Sequence, residues 1–153
     1  MVDDDVRAPL PGAVLFACNF NRVRSPMAEA LLKRALGDRV YVDSCGLRRD
    51  ATDAGENVDP FVAAVMAEIS CDVAAHNAKT FDDLEDDSFD LVVSLTPEAQ
   101  HRAVELTRGR AAEIEYWPTF DPTLADGSRE ARMAAYREVR DSLSARIAER
   151  FGR

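Results

Sequence analysis

The chain reads as an α/β protein: a parallel sheet covered by helices on both faces. Three observations predict it. Short apolar runs of strand length recur, AVLFA over residues 13–17 and LVVSL over residues 91–95. Each run is followed by a stretch whose apolar residues repeat at helical rather than alternating spacing. The runs are continuously apolar, as strands buried on both faces are, and strand–helix alternation of this kind leads to a parallel sheet. With 153 residues there is room for one such domain.

The elements follow in order. Residues 13–17 form the first strand. Residues 25–36 form the first helix, with Ser25 expected as N-cap, Pro26 in the first turn and Glu29 near the positive end of the dipole. Met27, Ala28, Leu31, Leu32 and Ala35 make its apolar stripe. Residues 40–45 are the second strand and 59–70 the second helix. Residues 91–95 are the third strand and 97–108 the third helix. Residues 112–117 are the fourth strand. A long last helix covers 128–151, where Val139, Leu143, Ile147 and Phe151 step by four. Residues 1–11 are expected to be a flexible lead-in to a domain over 12–153. The acidic stretch 82–87 reads as a solvated loop. No internal repeat is visible.

Composition narrows the function. A hydrophobic fraction of 46% supports a real core, and 31% charged residues keep the surface wet. A net charge of −9 and a pI near 4.7 disfavour nucleic acid and anionic membrane as partners. A phosphorylated substrate would also be repelled at long range, so any anion site has to be a local positive spot. Cys18, Cys45 and Cys71 are an odd number without short repeated spacing, which argues against a disulfide framework and a zinc site. The first eleven residues carry Asp3, Asp4 and Asp5 and lack an apolar core, unlike a signal peptide. No run has the length of a membrane span. A reducing cytosol is the expected location.

One segment carries chemistry: Cys18-Asn19-Phe20-Asn21-Arg22-Val23-Arg24-Ser25-Pro26. A cysteine ends a buried strand, and an arginine follows six positions later at the entry to a helix. Backbone N–H groups of a tight loop can turn inward and hold an oxyanion. The helix N-terminus adds partial positive charge. The planar fork of Arg24 suits two phosphoryl oxygens, and the same field favours a thiolate on Cys18. The competing reading is an ordinary buried cysteine and a surface arginine. The strand before the segment and the Ser-Pro helix start after it favour the cradle.

The run Cys-x5-Arg-Ser-Pro-Met-Ala-Glu, with Asn21 inside the loop, resembles the low-molecular-weight protein tyrosine phosphatases. The likeness continues at Asp43-Ser44-Cys45-Gly46 and His76-Asn77-Ala78-Lys79, and ends at Asp121-Pro122 before the last helix. It implies a four-stranded sheet of order 2-1-3-4 and a cytosolic enzyme needing neither cofactor nor metal. Its substrate would be a phosphorylated protein or a small aryl phosphate. It further implies Cys18 as nucleophile, Arg24 as phosphate-binding arginine and Asp121 as general acid. Residues 19–25, Asn19, Phe20, Asn21, Arg22, Val23, Arg24 and Ser25, would wrap the phosphate. Ser25 would assist the thiolate as leaving group. Asn21, Ser44 and His76 would join in a network that shapes the loop. The sequence departs from the family at Phe20, where a small residue is usual, at Arg22 and Val23, and at Thr123 and Leu124, where tyrosines are frequent.

On the residues alone, Asp121 also reads as a turn cap, since Asp-Pro is a common turn dipeptide. Asp126, before Gly127, reads as a turn residue. His101 is expected on a helix surface. Trp117 and Phe120 suit the mouth of the site or the core equally. Two other functions compete: arsenate reduction with an external thiol, and non-catalytic phosphate binding. Relatives that reduce arsenate carry relay cysteines in and beside the segment after strand three. Here residues 94–108 contain none.

Overall fold

The computed structural model describes residues 9–51, 57–85 and 88–152. Four strands, β1 (Ala13–Cys18), β2 (Tyr41–Gly46), β3 (Leu91–Ser94) and β4 (Glu113–Tyr116), alternate with four helices. These are α1 (Arg24–Leu36), α2 (Pro60–Ala67), α3 (Pro97–Thr107) and α4 (Arg129–Phe151). Most of the expected lead-in, residues 1–8, lies outside the described residues, as do Asp86 and Asp87 of the acidic stretch.

All strand pairs are parallel and the order is β2-β1-β3-β4. β1 is central because its side chains are apolar on both sides. Val14, Phe16 and Cys18 join the core beneath α1, α2 and α4, whereas Leu15 and Ala17 join the smaller core beneath α3. Alternation along a strand imposes this division. The expected stripe of α1 is buried at Met27, Ala28, Leu31 and Leu32, and the four-residue steps of α4 bury Val139, Leu143, Ile147 and Phe151. Each large side chain so covered contributes on the order of 1.5–3 kcal/mol. β4 is an edge strand and is only half covered. Its Glu115 accepts from Arg150 of α4 at 2.6 Å and from the Trp117 indole at 3.1 Å.

Two local expectations are corrected. The second helix is shorter than residues 59–70: Asp59 is its N-cap, accepting from the Phe61 amide at 2.8 Å, and the chain leaves the helix after Ala67. The first helix is not capped by Ser25. It starts at Arg24 with Val23 in the cap position and no side chain closing it. Ser25 is fully buried and its hydroxyl is used inside the preceding loop. An uncapped helix start leaves its first N–H groups open to a ligand. Glu29 also departs from its expected dipole role. One turn beyond Ser25, its carboxylate faces β2 and accepts from the Ser44 hydroxyl at 2.5 Å.

In this topology the chain runs from β1 to β2 on one side, then crosses to β3 on the other. The crevice between β1 and β3, beyond their carboxyl ends, is where open α/β sheets bind ligands. The Cys18–Arg24 segment occupies that position.

Candidate active site

The loop between β1 and α1 is held from three sides. Below it lies Gly46 at the end of β2, paired in register with Cys18. A Cβ on Gly46 would come within 2.8–2.9 Å of backbone atoms of Asn19, Phe20 and Asn21. Only glycine lets the loop settle there. The carbonyls of Cys18 and Asn19 accept from Leu47 N at 3.1 and 2.8 Å, and Asn19 O also accepts from Arg48 N at 3.2 Å. On the β3 side, Thr96 caps α3 and its hydroxyl donates to Asn19 Oδ1 at 2.8 Å.

Asn21 is the hub. Its φ of 59° is left-handed, a conformation asparagine tolerates better than most residues. Its amide nitrogen donates to Ser25 Oγ (2.8 Å) and Ser44 Oγ (2.9 Å), and its amide oxygen accepts from Lys79 N (3.0 Å). Both donors are thus used, in a residue with no exposed surface. The Asn21 carbonyl lies 2.9 Å from His76 Nε2. A carbonyl can only accept, so Nε2 carries the proton. The other ring nitrogen, Nδ1, sits 3.9 Å from Glu29 Oε1. The expected network of Asn21, Ser25, Ser44 and His76 is therefore assembled. Glu29, Lys79 and Thr96 complete it, and sequence reasoning missed all three. Only Glu29 left a signal: Ser25, Glu29 and Lys33 stand at i, i+4 spacing on one helix face, and Lys33 is bonded to Glu29.

Cys18 lies at the floor of the cradle, buried, with its sulfur 2.9 Å from Ser25 Oγ. Ser25 Oγ accepts from Asn21, and its own proton has two acceptors in reach, the sulfur at 2.9 Å and the Cys45 carbonyl at 3.4 Å, of which the sulfur is the nearer. Arg24 is buried and reaches across to the loop after β4. Its guanidinium donates to the Thr119 carbonyl at 3.0 Å and stands 3.8 Å from Asp121 Oδ2. Asp121 caps a turn and also faces the cradle arginine. Oδ1 caps a short turn, accepting from Thr123 N (3.0 Å) and Thr123 Oγ1 (2.7 Å), while Oδ2 faces Arg24. A sulfur, a guanidinium and a carboxylate thus lie at one end of the sheet.

Other candidates are placed elsewhere. The Arg22 side chain turns away from the cradle and grips the chain after β2, donating to Asp50 Oδ2 and the Asn57 carbonyl, each at 2.8 Å. Val23 is half-buried against the core. Trp117 is buried and packs on Phe16 with ring centroids 5.9 Å apart, which settles it as core, whereas Phe120 is exposed. His101 and Asp126 are exposed. Tyr136 is buried on α4 and donates to Asp59 Oδ2 at 2.9 Å. Burial, followed by the Asp59 charge, raises its phenol well above the usual value.

Neither remaining cysteine is bonded to Cys18. Ala17 and Cys45 are register partners, and both belong to the core on the α3 face. Cys18 belongs to the opposite face. Burial pushes the Cys45 thiol well above its ordinary pKa, with the Cys18 and Asp43 charges adding to it. Cys71 follows α2 and is half-buried against the main core. Among the described residues no cluster of His, Cys, Asp or Glu is arranged to hold a metal ion, and no helix is long and apolar enough to cross a membrane.

A loop from a strand-end cysteine to an arginine at a helix start, after the first strand of a 2-1-3-4 sheet, defines a class of protein, and the comparisons agree with it. Residues 13–150 match the family model for low molecular weight phosphotyrosine protein phosphatase, and the chain belongs to that family. It is 34% identical over 123 residues to a low molecular weight protein-tyrosine-phosphatase of Streptomyces coelicolor, covering 74% of this chain and 72% of that one. It is 32% identical over 134 residues to an arsenate reductase of Halalkalibacterium halodurans, covering 88% and 91%. Among solved structures, an arsenate reductase in the phosphate binding state aligns with a TM-score of 0.73 at 25% identity, over 92% of this chain and 96% of that one.

Proposed function

We propose that this protein hydrolyses phosphomonoesters of the aryl phosphate or phosphotyrosine class through a phosphocysteine on Cys18. The observation that carries this reading is the convergence of Arg24, Asp121 and Ser25 on the Cys18 cradle. Binding alone would need neither a nucleophile nor an acid. The Cys18 thiolate attacks phosphorus, an S–P bond forms and the P–O bond to the leaving group breaks. Asp121 gives its proton to the departing oxygen. The loop N–H groups, the α1 N-terminus and Arg24 hold the equatorial oxygens while charge builds on them. The Asp121 carboxylate then takes a proton from water, which attacks phosphorus. The S–P bond breaks, phosphate leaves, and the sulfur departs as a thiolate stabilised by the Ser25 hydroxyl. Asn21, Ser44 and His76 act as supports, fixing the loop. Residues 19–25 supply the wrap around the phosphate, with Arg22 contributing backbone rather than side chain.

The second reading, arsenate reduction, draws support from the relatives of that name. It requires two electrons from thiols. The chain has only Cys45 and Cys71 besides Cys18. One lies on the wrong face of the sheet, the other beyond α2. An external thiol would have to supply both electrons. The test sets p-nitrophenyl phosphate and phosphotyrosine peptides beside arsenate with glutathione and glutaredoxin. The expected result is chelator-insensitive phosphate release at mildly acidic pH that exceeds arsenate turnover. Faster arsenate reduction would transfer the assignment to the second reading.

The same geometry predicts the response to oxidation. Peroxide small enough to reach the cradle floor should convert Cys18 to a sulfenic acid. The loop has no second cysteine, Val23 standing beside Arg24, and Cys45 belongs to the core on the other side of the sheet. Oxidation should therefore run on to the irreversible acids. Treatment with peroxide followed by thiol is expected to restore little activity, equally in wild type and Cys45→Ser. Full recovery in wild type but not in the variant, with a Cys18–Cys45 linked peptide by mass spectrometry, would refute this.

A further inference from the structure

We propose that Phe20 and Arg48 form a substrate platform beside the cradle, selecting phosphomonoesters whose aromatic leaving group is flanked by an acidic side chain. The proposal rests on the phosphomonoester reading above and names its substrate class. Phe20, at 38% exposure, is the most exposed residue between Cys18 and Arg24, and so is the loop side chain most open to a leaving group. Its backbone cannot drift, since Gly46 is pressed beneath it and Asn21 is bonded from several sides behind it.

Arg48 lies over the Phe20 ring, its guanidinium carbon 5.3 Å from the ring centroid, a cation–π distance. Its backbone N–H is bonded to Asn19, so the residue is tied to the loop at both ends. What sets Arg48 apart is its charge balance. Nearby cations are already matched: Arg22 by Asp50, Arg24 by Asp121, Arg49 by Asp83 and Lys79 by Asp43. Among the described residues Arg48 has no carboxylate partner and is exposed. In a chain of net charge −9, an unmatched cation beside the cradle is a local attraction for an acidic group that the rest of the molecule repels. The ring offers contact to a flat leaving group, and the guanidinium on its face offers a partner to a carboxylate next to the phosphorylated residue.

The experiment uses phosphotyrosine peptides identical except for acidic or basic flanks. Wild type is expected to favour the acidic peptide in kcat/KM by about threefold to tenfold, the range of a few rim charge contacts. Arg48→Gln should bring the ratio near one and Arg48→Glu should invert it. Phe20→Ala should lower the ratio of aryl to alkyl phosphate turnover relative to wild type, since leaving-group chemistry is the same for both enzymes and cancels. Binding of the same peptides to Cys18→Ser by calorimetry separates the two readings. Peptide binding with the Arg48-dependent preference but no turnover by wild type would overturn the hydrolase reading and leave the platform standing. Turnover with equal kcat/KM for both flanks, or a ratio unchanged in Arg48→Glu, would overturn the platform and leave the hydrolase. Neither turnover nor binding would overturn both.

Discussion

Cys18→Ser is expected to reduce phosphate release from aryl phosphates to background while leaving the fold and the anion site in place. The sulfur makes the covalent bond in the proposed reaction, and a serine hydroxyl is a poor nucleophile at its ordinary pKa without an adjacent base. Among the described residues no histidine or carboxylate is bonded to the Cys18 side chain to act as that base; its partner is Ser25. The oxygens of phosphate are to be held by backbone N–H groups and Arg24, none of which the substitution touches. Phosphate should therefore still raise the melting temperature of the variant. Turnover above background would end the assignment of Cys18. Loss of both turnover and the phosphate-induced shift would show that the substitution had damaged the cradle, and Cys18→Ala would then take its place.

The second large effect is expected at Asp121. Asp121→Asn should slow hydrolysis of substrates with poor leaving groups by about 10²–10⁴-fold, and affect activated aryl phosphates far less. The structure makes this a clean substitution on one side. Oδ1 holds Thr123 N and Thr123 Oγ1, and an asparagine carbonyl can accept the same two bonds, so the turn survives. On the other side the charge facing Arg24 is lost. That loss should tighten or leave unchanged the binding of phosphate, because Arg24 gives up a competing anion. The measurement is a plot of log kcat/KM against leaving-group pKa for wild type and variant, with the inhibition constant of phosphate beside it. A steeper slope with undiminished phosphate binding is expected. Parallel lines displaced by a small constant would return Asp121 to its turn role alone.

Features of the chain that depend on neighbours in sequence were legible. The apolar runs at residues 13–17 and 91–95 mark buried strands because a strand covered on both faces has no room for alternation. The stripes of α1 and α4 mark helices because burial selects one face of a 3.6-residue repeat. The proposed cradle is local for the same reason: Cys18, the loop and Arg24 fall within seven consecutive residues, so chain continuity alone brings them together.

What long-range contacts decide was read less well. Ser25 carries an N-cap signature, yet its hydroxyl serves Cys18 and Asn21, because a buried polar network outweighs a local capping preference worth about 1 kcal/mol. Lys79, Thr96 and Thr119 touch the cradle residues from 58, 77 and 95 positions away, and no local pattern announces such a contact. The two roles of Asp121 could not be separated in sequence, since a turn cap and a carboxylate facing Arg24 call for the same residue.

By itself, then, the sequence determined the fold class, the order of its elements and the loop that joins Cys18 to Arg24, because each is encoded within a few turns of chain. Only the tertiary structure decided which atoms face that loop. It turned the Arg22 side chain out to Asp50, put Trp117 in the core and Cys45 on the far side of the sheet, and left Phe20 and Arg48 together at the rim. Facing direction follows from strand register and from packing between segments distant in sequence, and those are settled when the sheet assembles.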